Sequence, residues 1–437
     1  MSDDQGLLEF VTSQRWFASK TRAVGRATVV DRAVLRETDP RLVLQLVEVR
    51  FDTGTHETYQ LLTDDDLDAL GDPRQVRELV HMIRSGSRLP AQEGIVEFGA
   101  VQGFTGAGEL REARPITAEQ SNTSIVFDDE LILKVFRRLE AGVNPELELL
   151  RFLTEHGFEN IARLAGWYAY AGKPMDATLG ILQQFVPTGQ DGWERSLDAI
   201  VEGDEGFVDT LRRLGEVTGT MHSILGSEPA DPTFSPEQTS TESLGLLTAT
   251  VDEEIESIFM DLPHDVPELE PIRGRGEEVR ERLRILTNLG GTGRVIRHHG
   301  DFHLGQTLWA DDDWIILDFE GEPARSLPER RRKRSPLRDV AGMLRSFAYV
   351  ASAAVVLRGV QPPHDWEARA REEFLEGYRG TVEQSLVPSG AAMDKLLRVF
   401  ELEKAVYELR YELNNRPDWV GIPVAGIMRM LEEEVPV

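Results

Sequence analysis

The sequence predicts an α+β protein of two lobes, a β-rich N-terminal part and a mainly helical C-terminal one. Three observations predict it. Runs of β-branched and aromatic residues, separated by Gly- and Asp-bearing turns, recur between residues 27 and 185. Beyond residue 187 the apolar positions take helical spacing, as in Leu211, Leu214, Val217, Met221 and Ile224. A chain of 437 residues is also too long for one simple core. The divisions expected are 1–90, 91–186 and 187–437.

Composition excludes several classes. The absence of cysteine removes disulfides, thiolate metal sites and thiol catalysis, and it fits a cytoplasmic chain. Met1 to Gln5 are acidic and lack the basic and apolar regions of a secretory signal. The longest apolar stretch, Phe347 to Leu357, is interrupted by Ser352 and is too short to span a bilayer, so no membrane is expected. Lys and Arg number 48 against 76 Asp and Glu, a net charge of −28, which argues against a nucleic-acid partner. Such a charge describes a solvated surface better than a fold.

Residues 1–90 read as a small α+β unit. Leu7 to Trp16 is a short amphipathic helix. Ala27–Leu35, Leu42–Phe51 and His56–Leu62 are strands, the last two joined by a hairpin turn at Asp52-Thr53-Gly54-Thr55. A helix from Pro73 to Ile83 ends at Ser85-Gly86. Nothing in this part forms a catalytic constellation, and a packing or partner role is expected.

From 91 to 186 strands alternate with one helix. Ile95 to Phe104 is a strand. A polar loop from Gln120 to Ser124 leads into Ile125–Phe127, Asp128-Asp129 turns the chain, and Leu131–Phe136 returns. Ser121, Asn122, Thr123 and Ser124 stand where hydroxyl and backbone donors would meet nucleotide phosphates. They are equally plain turn formers. Lys134 lies inside an apolar strand, where an unpaired ammonium is costly to bury. Asn144-Pro145 then starts a helix, with Asn as cap and Pro first. Glu146 and Glu148 occupy its first turn. A strand lysine held by a glutamate of the next helix is a kinase arrangement. Glu146 suits the helix dipole. Gln184 and Val186 fall where a strand, Thr178–Leu182, leaves for Pro187, the place of a hinge offering backbone groups to adenine.

The remainder carries helices at Phe207–Ile224, with His222 as a core residue, at Glu242–Met260 and at Gly276–Leu289. Its densest chemistry is His298 to Glu322. Asp301 stands five positions before Gln306. An acidic turn, Asp311-Asp312-Asp313, precedes an apolar run, Trp314–Leu317, that ends in Asp318. Asp301 can take or orient an acceptor hydroxyl proton. Gln306 can offer a carboxamide oxygen, and Asp318 a carboxylate, to Mg2+ bridging phosphates. Glu320 and Glu322 are open between metal, substrate and surface roles. The spacing of His299 and His303 without a helix argues against zinc, and His303 is expected to brace the loop. The basic run Arg330–Arg334 is expected to partner local carboxylates. Asp339 is placed to cap a helix, Val340–Tyr349, and to tie it to the loop.

On a helix beginning near 401, Lys404, Glu408 and Tyr411 share a face, as do Tyr407 and Tyr411. It stops at Asn414-Asn415 before Arg416-Pro417, and Trp419 follows. Polar arms beside rings suit a sugar. A core of rings under a solvated charged face fits the pattern equally.

Six segments carry a resemblance: QRWFASKTR (14–22), SNTSIVFDDELILKVFRRL (121–139), HGDFHLGQTL (299–308), DFEGEP (318–323), SPLRDVAGMLRSF (335–347) and EKAVYELRYELNNRPDW (403–419). They resemble the actinobacterial maltokinases, relatives of the aminoglycoside phosphotransferases. The resemblance implies a bilobal protein-kinase-like fold with an N-terminal cap subdomain, a β-rich intermediate nucleotide-binding subdomain and a helical C-terminal lobe. It implies ATP and Mg2+, Asp301 as base, Gln306 with Asp318 as metal ligands, and Glu148 as the partner of Lys134. It places a sugar against Lys404, Tyr407, Glu408, Tyr411, Glu412 and Trp419. Maltokinases carry Tyr where this chain has Phe17 and Leu where it has Phe302, so the look is closer to the glucosamine kinases, which phosphorylate the amino sugar at its 6-hydroxyl. The ammonium would pair with an uncompensated carboxylate such as Glu408 or Glu412. Maltose 1-phosphate formation, aminoglycoside phosphorylation and non-catalytic nucleotide binding are the alternatives.

Overall fold

The computed structural model describes residues 3–64, 67–102, 110–116, 122–239, 241–286 and 292–432. The chain divides into two compact units, residues 1–188 with 325–327, and residues 189–324 with 328–437.

In the first unit α1 (Asp3–Ser13) precedes β1 (Val24–Arg36), β2 (Leu42–Phe51), β3 (His56–Asp64) and β4 (Leu67–Asp68). Then come α2 (Pro73–Ser85), β5 (Arg88–Pro90), β6 (Gly94–Ala100), β7 (Ala113–Ile116), β8 (Asn122–Phe127) and β9 (Leu131–Phe136). β10 (Arg138–Leu139), α3 (Pro145–Glu155), β11 (Leu164–Gly172) and β12 (Asp176–Gln184) complete it. One sheet runs β1-β2-β3-β10, with β4 on β3; the other runs β5-β6-β11-β12-β9-β8-β7. The chain passes between them at Arg137.

Local chemistry explains the boundaries. α1 stops short of the expected Trp16 because Trp16 and Phe17 turn inward, their rings 5.6 and 5.5 Å from that of Tyr59. They join Val11, Val47, Val49 and Leu61 in one cluster. The Asp72 side chain caps α2, and Gly86 ends it in the left-handed region. Asp128 and Asp129 both take positive φ, +50° and +54°, in the turn between the paired residues Phe127 and Leu131, where the Glu130 amide donates to the Phe127 carbonyl at 2.9 Å. The strand expected to reach Phe104 ends at Ala100.

The rest of the chain runs β13 (Gln190–Asp191), α4 (Gly192–Glu202), α5 (Phe207–Leu225), β14 (Glu237–Gln238), α6 (Thr241–Met260), α7 (Gly276–Leu286) and β15 (Arg294–Val295). β16 (Thr307–Ala310), β17 (Asp313–Ile316), α8 (Leu327–Arg330), α9 (Leu337–Arg358), α10 (Trp366–Thr381), α11 (Ala391–Asn415) and α12 (Gly421–Glu432) follow. Val251, Ile255, Leu283, Val406, Leu409 and Ile427 bring α6, α7, α11 and α12 onto one core. β16 and β17 form a hairpin whose turn again uses two left-handed aspartates, Asp311 and Asp312. α9 has 22 residues, long and apolar enough to cross a membrane by length and composition, and 72% of its most apolar window is buried inside the protein. It extends past the expected apolar stretch because Asp339 and Arg345, which interrupt the pattern, are buried with partners of opposite charge or hydrogen-bonding character.

α5 and α10 meet backbone to backbone. A Cβ at Gly377 would lie 2.0 Å from the Arg212 carbonyl oxygen, and one at Gly215 would lie 2.0 Å from that of Phe374. Neither carbonyl can withdraw without parting the helices. Gly377→Ala is expected to cost about 1–3 kcal/mol, read as a lower denaturant midpoint. An unchanged midpoint would show that the helices can slide apart freely.

Candidate active site

In the first unit β8 and β9 place the nucleotide candidates. Gln120 and Ser121 lie outside the described residues. Asn122, Thr123 and Ser124 are the first residues of β8, and Ser124 is buried opposite Lys134 of β9. The Lys134 ammonium lies 2.8 Å from Oε2 of Glu146, and both side chains are buried. The assignment of Lys134 to Glu148 is thereby corrected. Two residues of α-helix turn by about 200°, so Glu146 and Glu148 cannot face the same strand. Glu146 points to β9; Glu148 is half-buried on the side where Arg151 feels its charge. The Asn144 side chain accepts from the Glu146 amide at 2.8 Å, which fixes the first turn and so the glutamate. At the end of β12, Gln184 is exposed, and the Phe185 amide donates to the Glu130 carbonyl at 2.8 Å. The Val186 backbone carries no hydrogen bond among the described residues.

In the second unit the segment before Asp301 is held from beneath. Asp339, 2% exposed, accepts the His299 amide at 2.8 Å and the Gly300 amide at 2.9 Å. His222 Nε2 lies 3.1 Å from the same carboxylate, and His222 Nδ1 lies 3.1 Å from the Tyr378 hydroxyl. A carboxylate only accepts, so His222 carries its proton on Nε2 and accepts from Tyr378. The expected cap role is corrected: Pro336 holds the cap position of α9, and Asp339 spends its oxygens on the loop. Burial would raise its carboxyl, but His298 and His222 outweigh burial and hold it well below the usual range.

The loop is also braced by His299, not by the expected His303. His299 Nε2 lies 2.8 Å from the Leu317 carbonyl, so that nitrogen donates and Nδ1 is left to accept the Asp301 amide at 3.4 Å. His303 precedes the short turn Leu304–Gln306, and burial lowers its pKa. Gly300 sits at φ +87°, which the turn into Asp301 requires.

Gln306 and Asp318 come together: Gln306 Nε2 donates to Asp318 Oδ2 at 3.2 Å, and the Leu317 amide donates to the Gln306 carbonyl at 2.9 Å. Asp318 sits at φ +57°, a conformation that an aspartate tolerates better than most residues. An amide oxygen and a carboxylate at the end of a buried hairpin are the hard donors that magnesium takes.

α11 brings some sugar candidates to this loop and removes others. Lys404 lies 3.7 Å from Asp301 Oδ1 and 5.2 Å from the Tyr407 ring centre. Tyr407 hydrogen-bonds Glu322; burial, then that carboxylate, pushes its hydroxyl up to about 12. Glu408 faces inward, where Arg345 donates to it at 2.7 and 3.0 Å, so it is not an uncompensated carboxylate. Nor is Glu412, which accepts from Arg416 at 2.6 and 2.9 Å and from Tyr349 at 3.1 Å. Trp419 stacks on Tyr349 with centroids 6.4 Å apart, and the Arg416 guanidinium lies 5.1 Å from its ring. Tyr411 is exposed, with Arg416 over it at 5.4 Å. Sequence reasoning misses Arg345 and Tyr378. Arg345 sits in an apolar helical run, where a charged residue is the available signal; Tyr378 lies in the charge-rich sequence of α10, which offers none. In the basic run, Lys333 reaches Glu237 and Arg330 donates to the Glu320 carbonyl.

The class of protein follows from its family: it is a transferase of phosphoryl groups. Residues 112–380 match the model of the phosphotransferase enzyme family, and residues 10–69 match the maltokinase N-terminal cap domain. The chain belongs to the phosphotransferase enzyme family, in a protein-kinase-like fold preceded by that cap. It is 26% identical over 348 residues to the glucosamine kinase of Streptacidiphilus jiangxiensis, covering 77% of each chain. It is 26% identical over 332 residues to that of Mycolicibacterium smegmatis, covering 74% of this chain and 80% of the relative. A solved glucosamine kinase in complex with glucosamine, ADP and inorganic phosphate superposes with a TM-score of 0.73 at 21% identity, covering 97% of this chain and 98% of the other.

Two outcomes test the loop. Asp339→Asn leaves one oxygen for two amides, and kcat is expected to fall by about tenfold to a hundredfold with the KM values little changed. An unchanged kcat would show that the loop holds itself. The second concerns His298, which burial pushes down to about 3. Histidine in an unfolded chain titrates near about 6.5. Between these values the unfolded state binds a proton that the folded state refuses, so stability is full above about 6.5 and falls as pH drops toward 3. Denaturant midpoints should fall from pH 7 to pH 4, and His298→Asn should remove about 1.4 kcal/mol per pH unit from that slope. An identical slope in the variant would refute the assignment.

Proposed function

We propose that the protein is an ATP-dependent kinase of glucosamine, forming glucosamine 6-phosphate. One observation supports this most: Asp301 and the Gln306–Asp318 pair occupy one braced loop and hairpin in a member of a phosphotransferase family whose curated relatives include glucosamine kinases. In this reading residues 1–90 form the cap, 91–186 hold the nucleotide and 187–437 carry the chemistry.

Asp301 accepts the proton of the 6-hydroxyl as the hydroxyl oxygen bonds to the γ-phosphorus and the bond from that phosphorus to the β,γ-bridging oxygen breaks, releasing ADP; the Lys404 ammonium beside Asp301 keeps the carboxylate oriented. Lys134, aligned by Glu146, binds nucleotide phosphates, with Asn122 and Ser124 as further donors and Thr123 between them, its hydroxyl held by Arg137, and the Val186 backbone meets adenine. Magnesium, when bound, is held by Gln306 and Asp318 and neutralises phosphate charge. For the sugar ammonium, the exposure of the arginine partner separates the two glutamates, both of which are themselves buried. The Arg345–Glu408 pair is buried on both sides, whereas Arg416 is 46% exposed and can leave Glu412 to an incoming cation. Tyr349 and Trp419 then form an apolar floor for the ring.

A sugar panel with ATP consumption as the readout tests the reading, with maltose as the comparison because the cap model is that of maltokinases. Turnover of glucosamine is expected; turnover of maltose without glucosamine would replace the proposal. Asp301→Asn should lower kcat by about 10²–10⁴-fold. Glu412→Gln should raise the glucosamine KM about tenfold and leave the ATP KM unchanged. Equal changes in both KM values would remove Glu412 from the sugar site.

A further inference from the structure

Arg137 lies between β9 and β10, where the chain leaves one sheet of the first unit for the other. Its side chain is 2% exposed. Nε donates to Oγ1 of Thr123 at 2.8 Å, and Nη2 donates to Asp68. Its carbon centre stands 5.1 Å from the Trp16 ring. Nη1 is buried with no hydrogen-bond partner among the described residues. Burying a cation and leaving one nitrogen unpaired is a cost that a methionine or leucine here would avoid. Stability alone does not account for it. The planar fork does one thing that a shorter or flexible cation cannot: it holds two acceptors at once at fixed separation.

Those acceptors belong to different parts of the chain. Trp16 and Asp68 lie within the matched cap domain, and Thr123 lies within the matched phosphotransferase domain, at the start of β8. Asp68 is itself fixed, because its other oxygen accepts the Leu70 amide at 3.2 Å. We infer that Arg137 is a positioning residue through which the cap sets the Asn122–Ser124 end of β8, and with it the affinity for nucleotide phosphates. The inference rests on the proposed role of that segment toward ATP.

The test is a double-mutant cycle on Asp68→Asn and Thr123→Val, with Arg137→Lys beside it. KM for ATP and for glucosamine are measured, with ADP binding by calorimetry. Each single variant is expected to raise the ATP KM about three- to tenfold and to leave the glucosamine KM within about twofold. The double variant should be no worse than the worse single one, because both act through one guanidinium. Arg137→Lys should behave as the worse single variant. Additive losses, equal rises in both KM values, or a lower melting temperature with unchanged kinetics would overturn the inference. If the parent protein turns over no amino sugar, the kinase reading fails instead, and the same non-additivity in ADP affinity still decides the role of Arg137.

Discussion

One buried carboxylate organises the helical unit. Asp339 of α9 receives two consecutive backbone amides, His299 and Gly300, and the ring of His222 of α5, so three elements meet on two oxygens. Removing a carboxylate from water is costly, and here several donors repay it. The consequence is positional. The residue that follows these amides is Asp301, whose own amide is held by His299. α5, through His222, and α10, through Tyr378, lie behind the loop as a rigid backing. The general-base role proposed for Asp301 would demand close placement, and a loop pinned at two successive amides would supply it.

The other buried charges follow a related logic. Lys134–Glu146, Arg345–Glu408 and Arg371–Glu401 are ion pairs in poorly hydrated surroundings, where mutual attraction barely offsets desolvation. They add little stability beyond an apolar replacement, but they fix geometry and remove carboxylates from competition for a ligand. In the proposed reading, neutralising the inward-facing glutamates of α11 narrows which acidic group of a chain of net charge −28 can still meet a cation. The difference lies in the exposure of the arginine partner, not in residue type. Glu408 and Glu412 are identical in chemistry and a helical turn apart, yet only the arginine on Glu412 is solvent-accessible.

Much of the fold was legible because local signals agree with it. β-rich runs either side of the Asp52–Thr55 turn mark β2 and β3, Asn144-Pro145 opens α3, and paired aspartates turn the β8–β9 and β16–β17 hairpins. The grouping of Gln306 with Asp318 is legible for the same reason, since a hairpin brings its two ends together. The choice between Glu146 and Glu148 was not, because periodicity says that they face apart but not which of them faces β9. Glu408 misleads in a similar way. Sequence spacing puts it on a face with Lys404, but its partner is Arg345, 63 residues away on α9. Pairings over such distances are set by tertiary packing, which leaves no periodic trace. His303 is the brace the sequence suggests, yet the Leu317 carbonyl is met by His299, four residues earlier, because backbone geometry and not residue type decides which ring faces it.

The cap illustrates how continuous the first unit is. The matched cap domain ends at residue 69, yet its sheet is completed by β10, which comes directly after the lysine strand β9. Gln60 of β3, fully buried, donates to the Phe136 carbonyl at the end of β9 and to the Leu179 carbonyl of β12, and it accepts from the Tyr168 hydroxyl of β11. One amide thus joins the cap sheet to three strands of the other sheet. The Gln60 amide in turn donates to the Arg137 carbonyl at 2.9 Å. A buried amide with all its capacity used in this way resists sliding, because any slip leaves several polar groups unpaired at once. The far end of the strand that bears Lys134 is therefore anchored in the cap. A domain without a catalytic group of its own can still govern the placement of a lysine three residues away.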